Sequence, residues 1–513
     1  MKKLLILFVF INGLTFSVYS QSSRIIEIRN DRFEHIRKII YDKIEKGEIP
    51  SISIAVAEKG KIIWMESFGW ANKENKIKAS PNTLYTLGSL SKPIIATGII
   101  KLYEQGKINL DENVDTYLNP IKLKYYTNDS IKVTCRHLLS HTSGLPMYFN
   151  YFYDDDTTAI PPIEQVIEKY GIIINQPSTR YVYANLGYGI LGYLISRKSR
   201  NNLEEYLKNE IFTPLGMTST TINISRNTKN NLAKRYYSDG KLMPFSFSDT
   251  PGAGNVNSTA NDLIHFGMFH LKDNLENQKK IISDSAISLM QNKQYPDNNN
   301  NRNTYGLGWF INDKDYKYKM IYHAGGMDGV GAMLKLIPSK DIAVAAITNC
   351  YGDYTDKICD SVLIELIPDL KEIIRTENPV DENSKKLVKK EDLKGTWEGN
   401  IVTCTEKIPI KLIFQDDGDI HVEMKAQFES INLMTNIYNV QHKMLLNEWF
   451  FFNGHFMGWF AENIPGGYLL RCSGTTLLDL EYQSGKLRGT AVALASSKRM
   501  FYGISNYLEL EKK

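Results

Sequence analysis

The sequence predicts a two-part chain: an α/β (α+β) region with an antiparallel sheet and a helical subdomain, followed by an all-β module. Three observations carry this expectation. The chain has 513 residues, whereas single hydrophobic cores stop growing near about 250–300 residues. Strand patterns stand at both ends of the stretch that closes at Thr348, with helical patterns between them. Beyond a charged segment, only short alternating runs separated by turn residues remain.

In chain order, Lys2 and Lys3 precede an apolar run from Leu4 to about Phe16, which reads as an export signal, residues 1–20, cleaved near Ser20. Asn12, Gly13 and Thr15 interrupt that run before the roughly 20 apolar residues a membrane-spanning helix needs. The mature chain is therefore expected to be exported, periplasmic or secreted, with no stable membrane span. From Arg32 to Glu45 the residues Phe33, Ile36, Ile39, Ile40 and Ile44 recur at helical spacing. Pro50 then introduces a strand over Ile52–Ala57, Lys59-Gly60 turns the chain, and Lys61–Met65 returns it. A long helix follows Gly88, and helical patterns cover Leu186 to Ser196 and Leu203 to Ile211. Strands over Ala332–Ile337 and Ile342–Thr348 flank the turn Pro338-Ser339-Lys340-Asp341.

These elements define a first domain over residues 21–375. Residues 376–393, with Asp381-Glu382-Asn383-Ser384-Lys385-Lys386, have the composition of a linker. Residues 394–513 read as successive hairpins turned at Asp416-Asp417-Gly418, Asn453-Gly454, Pro465-Gly466-Gly467 and Ser484-Gly485. Their opening Gly395-Thr396-Trp397 resembles the G-x-W that begins lipocalin-like barrels.

A composition of 42% hydrophobic and 23% charged residues excludes wholesale disorder. The net charge is only +4, with basic and acidic residues interspersed, which argues against nucleic acid and for a small-molecule or peptide substrate. Five cysteines cannot all pair, and none has C-x-x-C spacing. Cys404 and Cys472 could join within the β module, while Cys350 ends an apolar run and reads as a buried thiol. No metal or cofactor is expected. His137 and His141 lie four apart but lack the glutamate of H-E-x-x-H, and His141 reads as a brace for the wall of a site. Gly187-Tyr188-Gly189-Ile190-Leu191-Gly192 has no strand before it, so these are helix-packing glycines rather than a dinucleotide loop. No G-x-S-x-G elbow occurs.

The chemistry is expected at Ser89-Leu90-Ser91-Lys92. An S-x-x-K at the start of an apolar helix puts the serine and lysine on one face, within reach of each other. A hydroxyl attacks only after a base takes its proton, and a lysine withdrawn from water can be neutral enough to be that base. A second S-x-x-K, Ser238-Asp239-Gly240-Lys241, falls on a turn and reads as solvated.

The context of Ser89 resembles the penicillin-recognising serine hydrolases, above all their class C β-lactamase-like branch, over roughly Ile49 to Asn349. The matching segments run in family order: Leu87 to Lys92; Leu138-Leu139-Ser140-His141-Thr142-Ser143-Gly144-Leu145; Tyr183-Ala184-Asn185; Pro214-Leu215-Gly216-Met217; Tyr305-Gly306-Leu307-Gly308-Trp309; and His323-Ala324-Gly325-Gly326. The resemblance implies a transpeptidase-like fold in which Ser89 is acylated, Lys92 and Tyr183 handle protons, and Asn185 binds the substrate amide. Tyr126-Thr127-Asn128 and Tyr148-Phe149-Asn150 share the Y-x-N spacing, but only Tyr183 precedes a helical run in the family's order. A nearby positive Lys92 is expected to lower the Tyr183 pKa. His323-Ala324-Gly325 stands where relatives carry K-T-G. Gly325 leaves room for a substrate strand, and the resemblance implies that the Gly326 amide joins that of Ser89 in an oxyanion hole, while His323, mostly neutral at pH 7, should hold a substrate carboxylate less firmly than a lysine would and more firmly as pH falls. The implied activity is hydrolysis of a β-lactam, D-amino-acid peptide or ester. The alternative is a penicillin-binding sensor that acylates without efficient turnover.

Overall fold

The computed structural model describes residues 27–127, 131–154, 159–223, 231–272, 278–294, 303–313, 317–371, 390–404, 406–414, 420–427, 437–443, 451–452, 455–460, 475–483, 485–497 and 500–513. The export-signal segment, residues 376–389 of the expected linker and most of the expected hairpin turns of the β module lie outside the described residues.

Eight strands form the central antiparallel sheet, in the order Asn303–Tyr305, Phe310–Asn312, Met320–Met327, Val330–Ile337, Ile342–Thr348, Ser51–Glu58, Lys61–Asn72 and Ile77–Lys78. The strands at the two ends of the region meet at its centre, where Ile54 stands opposite Ala346. Successive side chains of a strand face opposite sides, and the sequence uses both. Ile52, Ile54 and Val56 pack with Ile36 and Ile40 of the helix Glu34–Glu45 and with Ile358 and Val362 of the helix Tyr354–Leu366. Ala55 and Ala57 face the other way, into the core shared with Leu263 and Ile264 of the helix Ala260–His270. Small residues there allow close approach: a Cβ on Gly267 would lie 3.3 Å from that of Ala343.

The helix Ser91–Glu104 is apolar almost all round, and Ile94, Ile95, Ile99 and Ile100 are fully buried. Such a helix has no solvent face and becomes the centre of the helical subdomain. It packs on Asn185–Ser199, the helix that contains the whole G-x-G-x-x-G segment. A Cβ on Gly189 would come within 2.9 Å of Thr250, and one on Gly192 within 3.4 Å of Gly252, so these glycines serve helix contact. The pattern over Leu203–Ile211 is α-helical only to Leu207 and continues as a wider π turn over Lys208–Phe212.

In the C-terminal region the strands run in the order Ile437–Lys443, Ile420–Gln427, Lys407–Phe414, Gly395–Val402, Met500–Lys512, Lys486–Ser497, Thr475–Gln483, His455–Phe460 and Phe451–Phe452, all antiparallel. The first and last of this series do not pair, so among the described residues the sheet does not close into a barrel. Trp397 is fully buried and its indole N–H donates to Leu393 O at 2.7 Å. Cys135, Cys350, Cys359 and Cys404 are free, and Cys472 lies outside the described residues. No helix among the described residues is long and apolar enough to cross a membrane.

One strand belongs to both parts. Tyr148–Tyr153 pairs with Ser246–Ser248 on one edge and, through Tyr148, Phe149 and Asn150, with Ile504, Gly503 and Tyr502 on the other. Ser505 Oγ donates to Met147 O at 2.6 Å, and the Tyr126 and Tyr507 rings stack at 4.5 Å nearby.

Candidate active site

The turn carrying Ser89 is placed by its crossing with the strand Met320–Met327. Gly88 has φ +53°, in the left-handed region that favours glycine. A Cβ on Gly325 would fall 1.7 Å from Leu87 O, so only glycine permits the crossing. A Cβ on Gly88 would lie 3.2 Å from the Gly326 amide nitrogen, which sets that amide beside Ser89. Ser91, the first residue of the helix, accepts at Oγ from Val256 N at 3.1 Å and ties the turn to the segment after Ala253. Ser89 is partly exposed and Gly326 exposed, so both are open to a substrate.

Lys92 is fully buried, and its Nζ lies 3.0 Å from Ser89 Oγ, 2.8 Å from Asn185 Oδ1 and 3.0 Å from Ala253 O. Burial pulls its pKa well below the ordinary lysine value. Two of its three partners are carbonyl oxygens, which can only accept. They take the two N–H bonds of a neutral amine and leave its lone pair facing the Ser89 hydroxyl.

Tyr183 is hydrogen-bonded to Ser89, and its ring centroid lies 4.7 Å from Lys92 Nζ. Burial pushes its pKa up, with the Ser89 bond opposing. The sequence expectation was the reverse, a phenol acidified by a charged lysine. Burial disfavours the charged form of both Lys92 and Tyr183, so Tyr183 keeps its proton and stands as a donor. Asn185 opens its helix, gives Oδ1 to Lys92 and donates through Nδ2 to Tyr148 O at 3.0 Å, leaving one N–H for a substrate amide.

His323 departs from its expected role. It is 1% exposed, its Nδ1 lies 2.7 Å from Ala324 O and its Nε2 2.9 Å from Tyr305 Oη. The carbonyl can only accept, so Nδ1 carries the proton and Nε2 accepts from the tyrosine. Burial takes the pKa down to about 3. The ring is neutral, faces Tyr305 and is not an imidazolium offered to a carboxylate.

Two contributors carried no sequence signal of their own or were passed over, and a third, His141, stands where the sequence suggested a brace. Ala253 O is one of the two carbonyls that fix Lys92. The Y-x-N segment Tyr148-Phe149-Asn150 supplies the carbonyl that orients Asn185, while Tyr148 Oη and Asn150 Nδ2 both donate to the buried Asp249, at 2.7 and 3.1 Å. His141, at φ +59°, accepts at Nδ1 from Ala184 N at 3.1 Å and lies 4.3 Å from the Tyr183 ring centroid. It holds the start of the Tyr183-Ala184-Asn185 segment, as a brace would. His137 instead accepts from Thr134 N and lies 2.7 Å from Ser178 Oγ, in a helix cap. Among the described residues no cluster of His, Cys, Asp or Glu could hold a metal ion.

An antiparallel sheet backed by a helical subdomain, with a serine and a buried lysine at the seam, defines a serine hydrolase of the penicillin-recognising class. Residues 36–366 match the Beta-lactamase family model, and the chain belongs to that family. Protein flp of Staphylococcus aureus (strain N315) is 27% identical over 354 residues, covering 66% of this chain and 68% of that protein. Penicillin-binding protein 4* of Bacillus subtilis (strain 168) is 28% identical over 331 residues, covering 60% of this chain and 69% of that protein. Among solved structures, an octameric penicillin-binding protein homologue from Pyrococcus abyssi matches with a TM-score of 0.57 at 22% identity, covering 93% of this chain and 99% of that one. The fold likeness therefore extends past residue 366 into the C-terminal strands. A class C β-lactamase matches with a TM-score of 0.53 at 19% identity, covering 66% of this chain and 97% of that one.

Proposed function

We propose that this chain is an exported, periplasmic or secreted hydrolase that opens β-lactam, D-amino-acid peptide or ester bonds through an acyl-Ser89 intermediate, with its C-terminal strands forming a lipocalin-like module. The observation that carries the reading is the fully buried Lys92 amine, its pKa pulled well below the ordinary lysine value, 3.0 Å from the Ser89 hydroxyl. Lys92 takes the Ser89 proton as Oγ bonds to the substrate carbonyl carbon. The Ser89 and Gly326 amides hold the resulting oxyanion. As the carbonyl re-forms, the bond to the leaving group breaks, and Tyr183 gives that group a proton and regains one from the Lys92 ammonium. Water then attacks the acyl carbon and gives up a proton to Lys92, which returns it to Ser89 Oγ as the acyl bond breaks, and the acid product departs. Family membership and the likeness to a penicillin-binding protein support this chemistry.

The test is intact-mass analysis after incubation with a penicillin, a D-Ala-D-Ala peptide and a p-nitrophenyl ester. Wild-type protein should gain one acyl group from at least one of them and release it. Ser89→Ala should gain none, and Lys92→Ala should acylate about 10²–10⁴-fold more slowly. An adduct on the Ser89→Ala protein would refute the assignment. An adduct that never leaves the wild-type protein would make it a sensor instead.

A further inference from the structure

His323 leaves the strand Met320–Met327 without a cation at one end, yet a cation stands at the other. Arg235 is 4% exposed. Its guanidinium donates to Ser246 Oγ at 2.8 Å, Ser246 O at 3.2 Å and Thr86 Oγ1 at 2.6 Å, and it lies 3.9 Å over the Phe245 ring. These partners are all neutral, and Nε has none. Arg235 makes no ion pair among the described residues. Asp154 acts on it only at longer range, its Oδ1 accepting from Phe245 N at 3.1 Å. A guanidinium buried without a counter-charge is held at a cost that a bound anion would offset.

The cleft it lines lies beside the turn that carries the reacting serine. Thr86, Gly254, Asn255 and Met327 share its wall. A Cβ on Gly254 would lie 3.7 Å from the backbone of Gly88, and Met327 follows the oxyanion glycine Gly326. Gly329, at φ +70°, brings the turn after Met327 onto Arg235, where a Cβ would come within 2.5 Å of the arginine's own. The His323 end of the strand is filled by Tyr305 and by the rings around His141 and Tyr183. If Tyr183 protonates the leaving group, that group departs on the Tyr183 side of Ser89, and the retained acyl chain extends toward the Arg235 end.

We propose that Arg235 is the anion-recognising residue of this site, receiving a carboxylate carried on the acyl part of the substrate. The proposal rests on the acyl-Ser89 reading and adds to it the substrate class, an acyl donor whose retained portion is acidic. Among the described residues the Nε–H of Arg235 and one further N–H have no partner, while Ser246 and Thr86 hold the guanidinium in place.

The experiment compares two esters with five-carbon acyl chains, mono-p-nitrophenyl glutarate and p-nitrophenyl pentanoate, on the full-length protein. Their kcat/KM values and the mass of the Ser89 adduct are read together. The acidic ester should be preferred about 10- to 100-fold. In Arg235→Gln that ratio should fall to about one, and in Arg235→Lys most of it should return. Moving the carboxylate to the leaving phenol should give a ratio that Arg235→Gln leaves unchanged. A wild-type ratio of one or less, with both esters acylating Ser89, would overturn the role of Arg235 while leaving the acyl-serine reading in place. The wild-type comparison needs no variant to fold. Failure of both esters to form any Ser89 adduct would overturn both readings.

Discussion

Lowering the pH from 7 to 5 tests how the fold holds His323. The ring titrates near 6.5 in an unfolded chain and at about 3 in the folded one. A depressed folded pKa contributes stability that is present above 6.5 and is lost as pH falls toward 3. By pH 5, one and a half pH units below the unfolded value, that loss amounts to about 2 kcal/mol at 1.36 kcal/mol per unit. His323→Gln removes the titration while keeping an amide that can accept from Tyr305 and donate to the Ala324 carbonyl. The variant should be less stable than wild type at pH 7, and its deficit should shrink by about 2 kcal/mol at pH 5. Urea unfolding followed by tryptophan fluorescence at the two pH values measures this. His141 and His270 are also buried with depressed pKa values, but they titrate in both proteins and cancel in the difference. An equal deficit at pH 7 and pH 5 would refute the neutral, buried ring. The same neutrality predicts that His323 gives anionic substrates no advantage over neutral ones as pH falls from 8 to 5.

Gly325→Ala should drive a Cβ against Leu87 O at a nominal 1.7 Å, a backbone clash that no side-chain rotation relieves. It should cost about 3 kcal/mol of stability and, by parting the Ser89 and Gly326 amides, about 10²–10³-fold in kcat; wild-type turnover in the variant would reject the crossing. Asp249 has its pKa raised by burial to about 6 from 3.8, so the stability it contributes is present below 3.8 and lost as pH rises through 6. Asp249→Asn should therefore gain about 2.4 kcal/mol relative to wild type between pH 4 and pH 8. A difference independent of pH in the same unfolding assay would count against it.

What the sequence made legible was pattern and order. The runs Ile52–Ala57 and Ile342–Thr348 read as strands, and they pair because both are apolar on two faces. Ser89 and Lys92 fall three residues apart at a helix start, so their contact follows from helix geometry alone. The protonation states were not legible, because they depend on how dry each side chain becomes. His323 was read from its solution pKa and Tyr183 from the expected charge on Lys92, and burial moved both away from those expectations. The carbonyl of Ala253 left no trace, since every residue has one. Arg235 gave no signal either: nothing in its neighbours along the chain tells of a cleft assembled from Thr86, Gly254 and Met327. The strand Tyr148–Tyr153 was read only as a misplaced Y-x-N, because the edge that receives Tyr502–Ile504 is fixed by residues more than three hundred positions away.

That shared strand makes the two parts of the chain partners in one equilibrium. The carbonyl of Tyr148 orients Asn185, while the backbone of Tyr148 to Asn150 is hydrogen-bonded to Tyr502 to Ile504. By reciprocity, whatever free energy a bound acyl group spends on tightening Asn185 against Tyr148 is returned as firmer seating of the C-terminal strand, and a loosened strand is charged to the substrate in equal measure. Substitutions in a region without a single catalytic motif can thus set how rigidly the site is held, which gives sequence change a way to tune the enzyme while Ser89, Lys92 and Tyr183 stay fixed.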